Sequence, residues 1–406
     1  MMTQTTWKIA GLICALTLLT GADWRQFRGT DTSSVAGNET LPTSWSEKEN
    51  IAWKAKLPGR GLSGPIVVGD RVYITASSGH HQDRLHVLGF DAATGAQLWE
   101  RQFWATGRTM CHEKMAVATP QPASDGQRIF AFYSSNDLAC LDLEGNLLWF
   151  RGLTHDYPNA SNSLGMSSSP VVVGDTVIAQ VESDSESFAI GLDVATGLQR
   201  WKIDRPKMSN WTSPVVMAGK TAADDVVVLQ SGTGLTAYHP QNGQMAWTFA
   251  EGASTIPSTG VSGEYLLVPS NGLTAWKVDS TSKTPQKLWN ESKLGPGTPS
   301  PVVVDGKVYI LTRAGVLTCA AVADGKTLWQ LRVNAKGGLT STPVVAGGNI
   351  YVFNEEGSCT VVKLGGDKGE IVGNGELGEQ ILCTPAVANG ALFIRSHGHL
   401  FKIASK

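Results

Sequence analysis

The residues able to do chemistry in this 406-residue chain are few and scattered. His80, His81 and His86 fall close together around Gly79-His80-His81-Gln82-Asp83, and His397 and His399 flank Gly398. Clustered imidazoles can bind zinc or copper. Gly79 to Asp83 nonetheless has the composition of a hairpin tip, and both groups are read as solvated turns. Cys111-His112 sets a thiol beside an imidazole, but sequence neighbours rarely aim at each other, so no catalytic pair is assigned. Of six cysteines, the five after Cys14 include no Cys-x-x-Cys and no adjacent pair. They are read as buried small residues, not as a disulfide framework.

Two stretches are richer in binding groups. Residues 101–118 carry Trp104, Arg108, Cys111, His112 and Lys114; residues 150–167 carry Arg151, His155, Tyr157, Asn159 and Asn162. Long connections with aromatic, amide and basic side chains commonly serve binding. Together with Arg60 and Trp211, the residues Trp104, Arg108, His112, Lys114, His155, Tyr157 and Asn162 form the candidate binding face. No catalytic residue and no metal ligand is assigned.

The elements that must position these groups follow from composition and repeats. The chain is 42% apolar and 17% charged, with 45 Gly, 13 Trp and a net charge of −2. So many apolar residues exclude wholesale disorder, and the near-zero charge argues against a nucleic-acid partner. Residues 1–22 read as a secretory signal: Lys8, an uncharged run from Ile9 to Leu19, then Thr20-Gly21-Ala22 before Asp23. The run is too short to span a bilayer, although an uncleaved anchor is the other reading. Gly11-Leu12-Ile13 before Cys14 is a poor lipid-attachment signal. The expected location is periplasmic or extracellular, as a monomer with no later transmembrane span.

One unit recurs along the rest of the chain. A Ser/Thr-Pro leads into valines, a Gly-Asp-like turn and a Val-Tyr-Ile-like run, and the unit ends on Leu88-Gly89-Phe90-Asp91-Ala92-Ala93-Thr94-Gly95-Ala96-Gln97-Leu98-Trp99 or its equivalent. Trp53, Trp99, Trp149, Trp201, Trp247, Trp289 and Trp329 keep phase, with Ile371 in the eighth place. Pro65, Pro122, Pro170, Pro214, Pro257, Pro301, Pro343 and Pro385 give the same count of eight. Each unit reads as four short strands, with an apolar first strand such as Val171-Val172-Val173. Repeats of this size and content predict an all-β, eight-bladed β-propeller of four-stranded antiparallel blades. The last unit lacks its Trp strand, and an orphan Trp strand, Ile51 to Ala55, precedes the first. That strand is therefore expected to complete the C-terminal blade. The predicted division is a signal at 1–22, an arm at 23–52 laid along the surface, and the propeller at 53–406.

The Asp-x-x-Thr-Gly-x-x-Leu-Trp endings resemble the pyrroloquinoline-quinone (PQQ) repeat superfamily of eight-bladed propellers, which includes quinoprotein dehydrogenases and BamB-type assembly factors. Asp23-Trp24-Arg25-Gln26-Phe27-Arg28-Gly29 and the segment from Leu57 to Pro65 are similar to exported PQQ-like propellers of planctomycete type. The dehydrogenase resemblance would imply PQQ clamped by an adjacent-cysteine disulfide and a Trp, with calcium held by Glu, Asn and Asp. No adjacent-cysteine pair is present, and Asp224-Asp225 and Glu355-Glu356 read as turn residues. The expectation is thus an exported, non-catalytic propeller with no cofactor, presenting its channel-mouth loops to a protein or a cell-envelope polymer. A divergent PQQ- and calcium-dependent quinoprotein oxidoreductase is the alternative, and a carbohydrate surface built on Trp104, Tyr157 and Trp211 is a third reading.

Overall fold

The computed structural model describes residues 23–37, 39–161, 164–278 and 284–405. The signal read in residues 1–22 lies outside them. Eight four-stranded antiparallel sheets make a ring. In chain order, blades 1 to 7 span residues 66–104, 123–152, 171–204, 215–249, 260–291, 302–332 and 344–376, and blade 8 combines residues 386–404 with the strand Ile51–Lys56. Blade 3 displays the common plan. Its inner strand Val171–Val173 is followed by Thr176–Val181 and Phe188–Asp193, both almost wholly buried, and by the half-exposed outer strand Gln199–Asp204. β-Branched and aromatic residues suit strands that are covered on both faces.

The repeated ending of each unit now has a physical reading. In blade 1, Asp91 Oδ1 accepts hydrogen bonds from the amides of Ala93 and Thr94 and from Thr94 Oγ. This fixes the turn, and Gly95 takes a positive φ of 74° within it. The Trp of the preceding blade lies flat on that glycine. A Cβ on Gly95 would come 2.5 Å from Trp53, one on Gly145 2.5 Å from Trp99, and one on Gly197 2.6 Å from Trp149. The indole N–H then donates to a carbonyl of the same turn: Trp53 to Ala92, Trp99 to Leu143, Trp149 to Val194, Trp201 to Pro240 and Trp289 to Val322. The register slips by one residue beside the Trp in each of blades 1 to 6, and beside Ile371 in blade 7. Such a bulge leaves Leu98, Leu148, Leu288 and Leu328 unpaired beside the Trp, where they are exposed.

The ring closes as the sequence predicts. Ile51–Lys56 pairs antiparallel with His399–Ala404, and the inner strands of blades 8 and 1 touch. At this seam Lys54 Nζ lies 2.6 Å from Glu379, and His399 Nδ1 lies 2.9 Å from it. Burial would raise the Glu379 carboxyl, but hydrogen bonds from Lys54, Ser396 and His399 outweigh it and hold the carboxyl at about 2.

Two details differ from the sequence reading. First, the opening of blade 5 is shifted. Thr259, not Pro257, stands where the other blades place their proline, immediately before the strand Gly260–Ser262. A non-proline brings an amide that needs a partner, and Gln230 Oε1 accepts from it at 2.8 Å. Second, although Trp45 bridges to Gly375 in the outer strand of blade 7, residues 23–37 do not run along the outside of the ring. They thread across its central opening on the face of the inner hairpin turns. Trp24 bridges to Val67 in blade 1, Arg25 bonds Ser124 and Asp125 in blade 2, and Gln26 accepts from Val172 in blade 3. Thr32 accepts from Val216 in blade 4, Val35 bridges to Val345 in blade 7, and Glu39 accepts from Gly390 in blade 8. Arg28 is fully buried and donates to Thr259 O at the start of blade 5, Pro301 O at the start of blade 6, and Ser34 Oγ. The inner strands have unpaired edges at the axis, and these edges draw the arm inward.

The pKa of Glu379 sets the sign of a test. Its folded value lies below the ordinary 4.5, so its contribution is complete above about pH 4.5 and is lost as the pH falls through about 2. Glu379→Gln is therefore expected to lower Tm at neutral pH, and the gap to the unsubstituted protein should narrow steadily below pH 4.5. Thermal melts monitored by circular dichroism across pH 2.5–7 measure this.

Candidate binding cavity at the channel mouth

The opposite face carries the connections from each outer strand to the next inner strand. Residues from all eight of these connections surround a cavity of about 640 Å³ on the ring axis. Phe27 of the arm reaches its lining from the far side, so the channel ends as a cup.

The wall of the cup is a belt of hydroxyls. The amide of Gln121 donates to Ser169 Oγ, that of Ser169 to Ser213 Oγ, and that of Ser213 to Ser258 Oγ. The series continues from Ser258 to Ser300, from Ser300 to Thr342, and from Thr342 to Thr384. Every bond joins one blade to the next at 2.9–3.2 Å. The belt breaks at Gly64, where a Cβ would come 2.3 Å from Thr384 O and 2.6 Å from Gln121 Oε1. A hydroxyl can accept and donate together. Each of these six residues accepts from an amide and also lines the cavity.

Above the belt the rim is apolar and charged. Leu164 and Ile256 are 43% and 47% exposed and stand beside Met115 and Trp211. Lys114 Nζ reaches across the opening from blade 2's approach to Glu355 of blade 7, at 3.1 Å. His112 and Arg313 complete the polar part of the lining.

The residues singled out from sequence divide accordingly. His112, Lys114 and Trp211 meet in the cavity, with Trp211 Nε1 donating to Gly165 O. Arg108 stands in the same rim connection and bonds Ser161 Oγ and Met110 Sδ. Arg60 lines a small adjoining recess and donates to Glu113 O. Trp104 ends the outer strand of blade 1, 61% exposed, with the Arg84 guanidinium 3.9 Å above its ring. His155 sits in a one-turn helix, Leu153–Asp156. Tyr157 packs on Phe188 beneath Lys202 and donates to Gln199. These last three stand outside the cavity lining. Asn162 lies outside the described residues. Reading the sequence missed Phe27, Leu164, Ile256, Arg313, Glu355 and the hydroxyl belt. Only the belt left a signal, the Ser/Thr before most of the repeat prolines.

The other chemical candidates resolve structurally. Cys111 accepts from Gln82 Nε2 and is held above the ordinary thiol range by burial, while His112 Nδ1 accepts from the Lys114 amide. Thiol and imidazole therefore serve different partners. Ser78 Oγ, His86 and Glu100 line up at 2.7 and 2.6 Å, the order of a hydrolytic triad. The imidazole is only 3% exposed, so it is closed to a substrate. The three groups come from three adjacent strands of blade 1 and tie them together.

This architecture, a closed eight-bladed ring with Trp-on-glycine docking between blades, defines a PQQ-like propeller. The family model described as outer membrane protein assembly factor BamB matches residues 20–184, 113–256 and 265–372, and the chain belongs to that family. BamB of Burkholderia pseudomallei (strain K96243) is 26% identical over 325 residues, covering 73% of this chain and 74% of that protein. A polyvinylalcohol dehydrogenase of a Pseudomonas species is 25% identical over 211 residues, 48% of this chain but only 31% of the dehydrogenase. Among solved structures, a europium-containing methanol dehydrogenase superposes with a TM-score of 0.69 at 14% identity, over 93% of this chain and 90% of that one. At that identity the likeness is one of fold.

The belt makes a test. Ser213→Ala removes the acceptor of the buried Ser169 amide and is expected to cost about 1–3 kcal/mol. Ser213→Thr keeps an acceptor, as Thr342 and Thr384 do at their own positions, and should restore most of that loss. Urea unfolding of the two variants measures the difference.

Proposed function

We propose that this chain is an exported, non-catalytic binding propeller that receives a protein partner in its channel mouth. The observation that carries the reading is the rim. Leu164, Ile256, Met115 and Trp211 offer apolar surface at a concave opening, next to the cations Lys114 and Arg313. Exposed apolar surface with a polar border is the mark of a protein-binding site. The BamB of Burkholderia is an outer membrane protein assembly factor by name, and a partner in envelope assembly agrees with the signal read in residues 1–22. Among the described residues no helix is long and apolar enough to cross a membrane.

The likeness to a polyvinylalcohol dehydrogenase gives the quinoprotein alternative its standing. The cavity's donors do not fit that cofactor. Calcium prefers six to eight oxygens, several of them carboxylate, and the cup offers one carboxylate, Glu355, already paired with Lys114. Among the described residues no three His, Cys, Asp or Glu side chains gather as a metal site. Cys383 is the one thiol in the lining, and it donates to Arg395 O.

The test replaces Leu164 and Ile256 together with Asp. Site-specific photocrosslinking from position 298, which also lines the cavity, is expected to capture a discrete envelope protein in intact cells. The double variant should reduce that capture at least tenfold, with Tm within about 2 °C. Trp104→Ala, away from the cup, should leave capture intact. A PQQ titration with calcium, followed by absorbance and protein fluorescence, is expected to give no saturable stoichiometric binding; tight calcium-dependent binding would reverse the assignment in favour of the dehydrogenase.

A further inference from the structure

Two arginines are wholly buried, and their surroundings differ. Arg28 spends its guanidinium on two carbonyls and a hydroxyl. Arg395, at the end of the second strand of blade 8 (Ala391–Arg395), is 1% exposed. Its Nη1 donates to Ser63 Oγ at 3.1 Å and Thr75 O at 2.6 Å, across the seam toward blade 1. Its Nε and Nη2 have no partner, and no carboxylate pairs with it among the described residues. Arg60 approaches the same place from the connection into blade 1. One Nη of Arg60 reaches Glu113 O, while its Nε is buried without a partner.

These orphaned N–H groups share a recess. It is lined by Arg60, Gly61, Gln380, Arg395, Ser396 and His397, and it opens beside Leu62, Leu382 and Cys383, which also line the main cavity. Its free space is about 10 Å³, room for the centre of one water-sized particle. No acidic side chain is among its walls. A fully buried guanidinium without a counter-charge is costly, and the half-buried Arg60 adds a second positive group beside Arg395. Burial already draws the Arg395 guanidinium down to about 10. The recess is too small for a carboxylate with its three heavy atoms, and its donors suit a spherical acceptor.

We propose that this recess is a binding site for a monovalent halide-sized anion, chloride in practice, held between Arg395 and Arg60. The ion completes the seam between blades 8 and 1, at the break in the hydroxyl belt. Gly61 is part of the design: a Cβ there would come 2.4–2.6 Å from the Arg395 guanidinium, in the space the ion and the arginine share.

Thermal melts at fixed ionic strength with chloride, bromide or fluoride test the site. Chloride and bromide, but not the smaller and strongly hydrated fluoride, are expected to raise Tm by on the order of 2 °C as the ion saturates. Arg60→Gln keeps the buried arginine and should shift the half-saturating chloride concentration upward at least tenfold. Arg395→Met is expected to abolish the halide dependence; should it fail to fold, Arg60→Gln carries the test alone. A crystal grown in bromide should give an anomalous peak within about 3.5 Å of the Arg395 guanidinium. Equal Tm in all three halides, or an ordered water at that position in bromide, overturns the proposal. A bromide peak without any halide dependence in solution marks an adventitious ion only and overturns it too.

Discussion

The contact on which the structure rests is the face of a tryptophan against the glycine of the next blade's turn. A blade alone is a small twisted sheet with two apolar faces and little to cover them. The indole supplies a large flat surface, and the turn supplies the only residue type without a Cβ to obstruct it. The Asp that caps the turn fixes the carbonyl to which the indole N–H donates. Blades 1 to 6 thus carry a Trp for the blade after them, while Ile371 stands in that place in blade 7. The ring is stable because no blade lacks a neighbour, and blade 8 is no exception: Trp53 reaches Gly95 as Trp99 reaches Gly145.

This constraint divides the molecule into a frame of recurring geometry and a free face. The turns that receive tryptophans lie on the side where the arm crosses, and their composition is dictated by packing. The connections on the other side carry no such duty. Their lengths vary, and the two longest build much of the rim. The cup is consequently assembled from residues that the frame positions but does not specify, so propellers of one fold can host assembly factors and dehydrogenases alike.

What was legible in the sequence follows the same division. Trp, Gly and Asp recur at fixed spacing, so blade number, strand count and the shared blade could be read directly. The opening of blade 5 misled because Pro257 sits two residues before Thr259, and only the amide of Thr259 bonding Gln230 fixes the register. The Ser/Thr residues ahead of the repeat prolines were visible, but their role was not, because each hydroxyl serves an amide roughly forty residues away on another blade. Lys114 and Glu355 are 241 positions apart, and no local pattern joins them. His155 and Tyr157 had the right composition for a mouth loop, but His155 stands exposed in a one-turn helix and Tyr157 stacks on Phe188 of blade 3.

The arm has a consequence for how the chain reaches this state. Residues 23–50 contact blades distributed around the whole ring, and the strand that follows them pairs with His399–Ala404, more than 340 residues further along the chain. This segment therefore cannot acquire all its native neighbours until blade 8 exists. Closing a loop of this length is entropically demanding, and topologies dominated by distant pairings fold slowly. Until then Ile51–Lys56 remains an unsatisfied edge, prone to pair with another chain. Folding of this ring is thus gated by blade 8: until its strands are in place, the segment that crosses the axis is not anchored at both ends.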